Sequence, residues 1–443
     1  MGKDEKLQLR FPAGFTSDNV QGMTEQLKSE IEKIAQNARK ASRMLGSATT
    51  KQKNFALERI AQELESNRKT LSEENEKDLQ GAKENNLSDA MIDRLRLNHE
   101  RIDAMAQGLR QLIDLPDPVG GLIEEKKRPN GLKIRKVRTP IGVIGIIYES
   151  RPNVTIDCAG LCLKSGNAAI LRGGKEALHS NRALARIIQQ ALERTDIGQD
   201  AVQLIPTTDR DALTHLLTLD EYVHCIIPRG GEGLIRFVAE NSRIPVIKHY
   251  KGVCNLYLDE GCDPKMAKDI AVSAKCGRPG VCNAIENLIV HQSNLADLLP
   301  AIGKELVAKG CTIFADEQAA RALGDIPAKK ATDAEYAEEF LDLRIAIKTV
   351  DSVNDAIAFI NQFGSGHSES ILTPSAERAE QFQREVDASS VYWNASTRFT
   401  DGFEFGLGAE IGISTDRLHA RGPMGLEELC SYKYVIEGNG QWK

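Results

Sequence analysis

The sequence predicts an α/β fold built from two doubly wound domains, in which each parallel sheet carries helices on both faces. From Ile141 onward, short apolar runs of strand length alternate with helical patterns, and such buried runs are typical of parallel strands. A second series of this kind follows residue 246. The chain of 443 residues is also too long for one compact core. Two domains in series predict a cleft between them, which is a common place for a ligand.

The first hundred residues are predicted to be mainly helical. Apolar side chains recur at three- and four-residue steps between Leu27 and Leu45, and a second amphipathic run covers residues 55–64. Ser88 is a candidate cap for a short helix over residues 91–95, and a longer helix is expected from residue 99 to residue 113.

Residues 120–138 are predicted to form a β-hairpin, because Asn130-Gly131 is a strong turn signal between two strand-like runs. Its basic side chains alternate with apolar ones, which favours an exposed ribbon over a nucleic-acid site. A long hairpin with little apolar surface is unstable alone. We therefore expect it to pair with another element or another subunit, and residues 432–436 are a candidate third strand.

The remaining elements alternate along the chain. Strands are predicted at residues 141–148, 168–171, 202–205, 223–227, 286–291, 312–315 and 345–350, with strand-like runs within 246–258, and helices at 154–164 and 177–192.

Composition and charge exclude several classes of protein. A formal net charge of −6 gives no general attraction for nucleic acid or an anionic membrane, and no apolar run is long enough to span a bilayer. The polar residues 1–22 lack a signal segment and are expected to be a loose tail. Nine scattered cysteines favour free thiols in a reducing, cytosolic compartment. The absence of Cys-x-x-Cys and His-Glu-x-x-His spacing predicts no metal site.

Two nucleotide-binding motifs are absent. No Gly-x-Gly-x-x-Gly follows the strand at residues 141–148. Gly173-Gly174-Lys175 resembles the end of a P-loop, but Glu176 stands where a serine or threonine would bind magnesium, and Ala169 replaces the leading glycine. The sequence therefore excludes a P-loop and the ATP hydrolysis that it supports.

Cys276 and Cys282 are the most informative thiols, because they flank the loop 277–281. A helix is predicted to begin near Asn283, and the partial positive charge of a helix start stabilises a thiolate. Cys158 and Cys162 lie one helical turn apart and are interpreted as core residues. On these patterns alone, a catalytic and a structural role for Cys282 remain equally open.

Five longer segments carry a family resemblance: residues 148–155 (YESRPNVT), 165–175 (SGNAAILRGGK), 278–283 (RPGVCN), 364–369 (GSGHSE) and 393–398 (WNASTR). From about Ala38 to the C-terminus the chain resembles the aldehyde dehydrogenase superfamily, most closely the branch that reduces an acyl phosphate of glutamate. The resemblance implies a Rossmann-like NADP-binding domain over residues 23–247, a catalytic cysteine domain over 248–405, and an oligomerisation arm formed by 120–138 with 425–443. It also implies a homodimer or a tetramer.

The resemblance implies an activity and its central residues. The expected reaction is NADPH-dependent reduction of L-glutamyl 5-phosphate to L-glutamate 5-semialdehyde, the second step of proline biosynthesis. Cys282 matches the nucleophile that forms a thioester, and Asn153 matches the amide that stabilises the oxyanion. Without the resemblance, Asn153 would be interpreted as a turn residue after Pro152.

A group of cofactor residues is implied as well. Arg172 takes the place of a lysine that contacts the cofactor ribose, and Lys175 stands where NAD-preferring relatives carry a glutamate. Two cations favour a 2′-phosphate, so NADPH is expected rather than NADH; a solvated Lys175 is the alternative. Gly174, Gly230 and Gly231 match loops near the pyrophosphate, and Glu339 matches a glutamate that binds the nicotinamide ribose.

Substrate-binding residues are expected beside the same motifs. Arg151, Arg278 and Arg398 are candidates for the carboxylate and the phosphate, although each is equally compatible with a solvated surface position. Asn394, Ser396 and Thr397 are expected to line the far side of the pocket.

One departure from the superfamily pattern bears on the choice between an acyl-phosphate reductase and a hydrolytic aldehyde dehydrogenase. His249 stands where hydrolytic aldehyde dehydrogenases carry the glutamate that activates water, which disfavours a hydrolytic enzyme acting on another small aldehyde. The presence of Cys282 and Asn153 disfavours a catalytically silent homologue. No glutamate kinase segment is recognised in the sequence, so a separate glutamate 5-kinase is expected to supply the substrate.

Overall fold

The computed structural model describes residues 25–443, so the expected tail over residues 1–22 lies outside the described part of the chain. The helices are α1 Glu25–Leu45, α2 Thr50–Ser66, α3 Arg68–Glu84, α4 Asp89–Leu95, α5 His99–Asp114, α6 Asn153–Lys164, α7 Leu178–Leu192, α8 Arg210–Leu216, α9 Glu232–Asn241, α10 Pro264–Cys276, α11 Leu299–Ala308, α12 Glu317–Leu323, α13 Asp333–Tyr336, α14 Val353–Phe363 and α15 Ala376–Glu385. The strands are β1 Leu122–Lys127, β2 Lys133–Pro140, β3 Val143–Tyr148, β4 Ala168–Arg172, β5 Val202–Leu204, β6 Cys225–Arg229, β7 Cys254–Leu258, β8 Ile285–His291, β9 Thr312–Ala315, β10 Ala328–Lys330, β11 Arg344–Val350, β12 Ser368–Leu372, β13 Ser390–Trp393, β14 Ile413–Ser414, β15 Gly422–Pro423 and β16 Cys430–Glu437.

The first parallel sheet has the strand order β5-β4-β3-β6. Every residue of β3 and β4 is buried, because helices cover both faces of the sheet. Helices α2, α5, α6 and α7 pack with one face of this sheet, and α1 and α8 pack with the other. The strand–helix alternation predicted after Ile141 is therefore confirmed.

The second parallel sheet has seven strands in the order β10-β9-β11-β8-β7-β12-β13. Helices α10, α11 and α12 contribute to the core on one side, and α13, α14 and α15 to the core on the other. The predicted pair of doubly wound α/β units is confirmed by the two sheets. In parallel sheets of this kind the ligand crevice lies outside the carboxyl ends of the strands.

The predicted hairpin is also confirmed. Strands β1 and β2 pair antiparallel around a turn that contains Asn130 and Gly131, and β16 pairs antiparallel with β2 from Cys430 to Glu437. The side chains of Tyr434 and Ile436 remain 58% and 59% exposed on this three-stranded sheet. The hairpin thus gains its third strand from the same chain and still exposes apolar surface.

The helix predicted to begin near Asn283 is wrong. Residues 281–284 form a turn, and β8 begins at Ile285. Only Asn283 and Ala284 separate Cys282 from this strand, which is too short a distance for a helical turn. All seven residues of β8 are buried, so burial on both faces of a sheet decides the conformation.

A buried ion pair joins the two ends of the loop that carries Cys282. Lys275 is the penultimate residue of α10, and Glu286 is the second residue of β8. The Lys275 Nζ lies 2.5 Å from a Glu286 carboxylate oxygen, and both side chains have no exposed surface. The pair fixes the separation between the end of the helix and the start of the strand.

None of the helices between residues 25 and 443 has the length and hydropathy required to cross a membrane. Within the same range, no three or more His, Cys, Asp or Glu side chains are grouped so that they could hold a metal ion.

Candidate active site

Cys282 lies in the turn before β8, where the backbone of a neighbouring loop packs against it. A Cβ atom placed on Gly252 would lie 2.2 Å from the Cys282 carbonyl oxygen and 2.7 Å from the Cys282 Cα. Only a glycine allows this approach. The thiol of Cys254, the first residue of β7, donates to the same carbonyl oxygen at 3.2 Å. The position of Cys282 is therefore fixed by backbone packing and strand contacts.

Burial dominates the acidity of this thiol. Desolvation raises the pKa of Cys282 to about 11, while the nearby guanidinium of Arg229 lowers it and the carboxylates of Glu339 and Glu410 raise it. The helix start expected from the sequence makes no contribution, because no helix follows Cys282. In the free protein the group is therefore a neutral thiol near pH 7, and Arg229 is the cation that favours its ionisation.

Opposite effects on thiol reactivity are expected from two substitutions. Arg229→Gln removes a cation and raises the pKa of Cys282, whereas Glu410→Gln removes an anion and lowers it. A shift of half to one pKa unit changes the thiolate fraction below pH 9 by roughly threefold to tenfold. Iodoacetamide labelling of Cys282, followed by peptide mass spectrometry between pH 7 and pH 10, should be slower for Arg229→Gln and faster for Glu410→Gln.

Cys276 provides an internal control for the same labelling experiment. It is partly buried, and a hydrogen bond with Cys311 together with Lys309 lowers its pKa. Its labelling rate should be the same in both variants. Changes of the same sign in both variants at Cys282 would contradict the charge assignment.

Asn153 is the first residue of α6. One N–H of its side-chain amide donates to Asp157, one helical turn later, at 2.9 Å. Burial raises the pKa of Asp157 to about 6. Since an amide nitrogen carries two donors, this bond orients the group and leaves its second N–H available for a substrate oxygen.

His249 and His367 form a buried aromatic contact near the loop of Gly252. Their rings are 5.9 Å apart and nearly perpendicular. Burial is the main cause that lowers the pKa of His249 to about 4 and that of His367 to about 3. Both imidazoles are therefore neutral at pH 7.

A cleft of about 600 Å³ opens beside Asn153. The sequence-predicted residues Arg151, Asn153 and Arg278 all line it. Three further arginines in its wall were not predicted from the sequence: Arg94, Arg96 and Arg101. They come from the region of α4 and α5, before the first family segment at residues 148–155, and no local pattern marks them as ligands.

The remaining predicted substrate residues are engaged within the protein. The side-chain amide of Asn394 accepts from the Thr373 N–H at 2.9 Å and donates to the Thr373 carbonyl oxygen at 3.1 Å. The Ser396 hydroxyl accepts from the Arg398 N–H. The Thr397 hydroxyl donates to the carbonyl oxygen of Asn283 at 2.8 Å, and the Arg398 guanidinium donates to the Asn283 side chain. Residues 396–398 thus hold the residue that follows Cys282.

A second cleft, of about 480 Å³, lies outside the carboxyl end of β4. It is lined by the predicted residues Arg172, Gly174 and Lys175, and also by Arg210. Arg172 is 8% exposed and donates to the Thr208 carbonyl oxygen at 2.9 Å. Its Nε atom is buried without a hydrogen-bond partner among the described residues. Three cations around one cleft fit a ligand that carries phosphate groups.

The carboxylates of Glu149 and Glu176 lie against glycines at the edge of this cleft. The Gly231 N–H, at the start of α9, donates to Glu149 at 2.9 Å, and a Cβ on Gly230 would lie 2.3 Å from the same carboxylate. A Cβ on Gly174 would lie 2.2 Å from Glu176. The N-terminus of a helix binds anions, so the free protein already holds an anion there. A dinucleotide that binds through Gly231 has to displace Glu149.

Glu339 lies close to the loop that carries Cys282. Burial raises the pKa of Glu339, whereas a hydrogen bond from the Gly252 backbone stabilises its carboxylate. The Glu339 carboxylate also raises the pKa of Cys282. The structure therefore brings Glu339, Gly252 and Cys282 together, although they are far apart in sequence.

Comparisons with known proteins agree with this arrangement. The model of the aldehyde dehydrogenase family matches residues 2–320 and 344–435. A γ-glutamyl phosphate reductase of Opitutus terrae is 56% identical over 422 residues, which cover 95% of this chain and 99% of that relative. One from Carboxydothermus hydrogenoformans is 53% identical and covers 93% of this chain and 99% of its own length. The crystal structure of γ-glutamyl phosphate reductase from Thermotoga maritima superimposes with a TM-score of 0.92 at 46% identity, over 94% of this chain and 100% of that chain.

Proposed function

The chain belongs to the γ-glutamyl phosphate reductases of the aldehyde dehydrogenase family, and we propose that it reduces L-glutamyl 5-phosphate with NADPH. The products are L-glutamate 5-semialdehyde, NADP⁺ and phosphate, and the reaction is the second step of proline biosynthesis. The observation that carries this assignment is the partly buried thiol of Cys282 beside an arginine-lined cleft. The neutral His249 in place of a hydrolytic carboxylate agrees with it.

In the first step, the Cys282 thiolate attacks the acyl carbon. A C–S bond forms, and phosphate leaves with the electrons of the C–O bond, which gives a thioester. Arg229 favours the ionised thiol. The free N–H of the Asn153 amide donates to the oxyanion of the tetrahedral intermediate, and one such donor contributes about 2.7–4 kcal/mol.

In the second step, the thioester is reduced to the aldehyde and the thiolate is released. Arg172, Lys175 and Arg210 would hold a pyridine nucleotide in the second cleft, and that cofactor would supply the hydride for this reduction. Asn153 again donates to the oxygen that becomes negative. Hydrolysis of the thioester would waste the substrate, and burial lowers the pKa of His249 to about 4, which makes its imidazole a weak base toward water. This chemistry requires the thiol to lie between the cofactor cleft and the arginine-lined cleft.

Reverse turnover tests the function. NADPH formation from glutamate 5-semialdehyde and NADP⁺ should require added phosphate, because the acyl phosphate is the product. Turnover that is independent of phosphate would instead identify a hydrolytic aldehyde dehydrogenase. A folded protein without turnover in either direction would support a catalytically silent homologue.

Cofactor selectivity is assigned to the cations of the second cleft. Lys175→Glu is expected to raise the KM for NADPH by roughly tenfold to a hundredfold, because a charge-assisted hydrogen bond to the 2′-phosphate contributes about 1.5–3 kcal/mol. The KM for NADH should change much less. Lys69→Glu, at a side chain that is 91% exposed on α3, is the matched control. Equal effects on both nucleotides would place Lys175 away from the 2′-phosphate.

Two partners complete the proposal. The exposed apolar side chains of the sheet β1-β2-β16, among them Tyr434 and Ile436, support an arm that joins subunits into a homodimer or a tetramer. Acyl phosphates are labile, so a separate glutamate 5-kinase is proposed to supply the substrate. Analytical ultracentrifugation tests this arm: if the sheet joins subunits, Tyr434→Glu should sediment as a smaller species than the wild type.

A further inference from the structure

The cleft beside Asn153 carries an excess of positive charge. Five arginines line it, and the two carboxylates in its wall are Asp93 and Asp157. Arg101 donates to both oxygens of Asp93, at 2.9 and 3.0 Å, so these two charges neutralise each other. Asp157 is occupied by Asn153, and burial raises its pKa to about 6. Most of the positive charge of the cleft is therefore uncompensated.

Arg94, Arg96, Arg151 and Arg278 are the cations of the cleft that remain without a counter-charge. Within residues 25–443, no carboxylate lies within 4 Å of their guanidinium groups, and none of the four side chains makes a hydrogen bond. Arg94, Arg151 and Arg278 are close enough to affect one another: besides partial burial, both Arg94 and Arg278 lower the pKa of Arg151. Like charges gathered around one cavity repel each other, and a bound anion removes this repulsion.

Arg94 is held in place by a rigid support. It lies on α4 between buried neighbours, since Leu95 is 0% exposed and Leu97 is 4% exposed. The buried amide of Asn75 on α3 donates to the Leu95 carbonyl at 2.7 Å and accepts from the Leu97 N–H at 2.8 Å. The backbone at Leu95 and Leu97 is thus fixed to α3. This contact positions the backbone that carries Arg94 at the wall of the cleft.

We propose that Arg94, together with Arg151 and Arg278, binds the phosphoryl group of the acyl phosphate, and inorganic phosphate in the reverse reaction. This inference rests on the proposed function. Arg151 is two residues from Asn153 and Arg278 is four residues from Cys282, so both lie next to the groups that receive the acyl carbon. The phosphoryl group is attached to that carbon through one oxygen, whereas the α-carboxylate is several bonds further away. Guanidinium groups match a phosphate dianion in charge and geometry.

Reverse kinetics with varied phosphate test the proposal. Arg94→Gln is expected to raise the KM for phosphate at least tenfold and to change the KM for semialdehyde by less than about twofold. Arg94→Lys should have an intermediate effect, because it keeps the positive charge and loses the bidentate hydrogen bonding of the guanidinium group. Arg43→Gln, at an exposed arginine of α1, should leave both constants unchanged.

Equilibrium binding gives a second measurement that needs no turnover. Titration of inorganic phosphate into Cys282→Ala protein should show a Kd that rises at least tenfold in Cys282→Ala/Arg94→Gln. If the wild type shows no phosphate-dependent turnover, the proposed function fails, and this titration still decides the role of Arg94.

Three results would overturn the proposal. An unchanged Kd and KM for phosphate would leave Arg94 as a solvated side chain. A rise in the KM for semialdehyde alone would assign Arg94 to the α-carboxylate. An equal loss in Arg43→Gln would show that the effect is one of general surface charge.

Discussion

Phosphate-dependent turnover is expected to fall by about four orders of magnitude or more when Cys282 is replaced with alanine. The variant lacks the atom that forms the thioester, and the remaining donors at Asn153 have no covalent intermediate to stabilise. Gly252 packs against the carbonyl oxygen, Cα and Cβ of Cys282, and an alanine at position 282 keeps all three atoms. We expect the fold and nucleotide binding to be retained. Turnover measured by NADPH formation, with circular dichroism and NADPH titration, checks both expectations.

Cys276→Ala is the matched control for this variant. Cys276 ends α10, six residues before Cys282, and it is a partly buried thiol like Cys282. Its contacts are with Cys311 and Lys309, away from the proposed reaction. Cys276→Ala should keep turnover within a few-fold of wild type. Substantial turnover in Cys282→Ala, or an equal loss in both variants, would exclude Cys282 as the nucleophile.

The largest expected effect on stability comes from Lys275→Met. It leaves Glu286 buried without the ammonium group that lies 2.5 Å away, and such a loss costs about 3–5 kcal/mol. The cost should depend on pH. Burial raises the pKa of Glu286 to about 8, although Lys275 lowers it, and the value in the unfolded chain is 4.5. Without Lys275, the folded variant holds a proton on Glu286 that the unfolded variant releases, so the free energy of unfolding of the variant decreases as pH rises from about 5 to 8.

Urea denaturation at pH 5.5 and pH 8 checks this prediction. The double variant Lys275→Met/Glu286→Gln should recover most of the loss, because no uncompensated charge stays buried. Lys265→Met is the matched control: it lies on the same helix, its side chain is 86% exposed, and its pair with Asp269 is screened by solvent. A loss in Lys275→Met no larger than in this control would show that the buried pair contributes little.

The loop between Lys275 and Glu286 shows where sequence patterns fail. The strand predicted at residues 286–291 is present as β8, but the helix expected to begin near Asn283 is absent, and the thiol of Cys282 has a raised pKa. The residues directly after Cys282 instead lead into β8, which pairs with β7 and β11, strands that are distant in the chain.

The hairpin shows where such patterns succeed. The Asn130-Gly131 turn and the alternation around it are local features, because the backbone preferences of these residues act within a few positions. Its third strand was also predicted, and β16 pairs with β2 over eight residues. The same holds for α4, where Ser88 caps the helix and Leu95 faces the core.

The sequence by itself determined the alternation of strands and helices, the hairpin, the family segments and the candidate thiol, because each depends on residues close together in the chain. Only the tertiary structure decided the acidity of Cys282, through burial and the charges of Arg229, Glu339 and Glu410. It alone brought Arg94 to the cleft of Asn153 and Arg278. Desolvation and Coulomb interactions depend on distances in space, and no local pattern in the chain contains those distances.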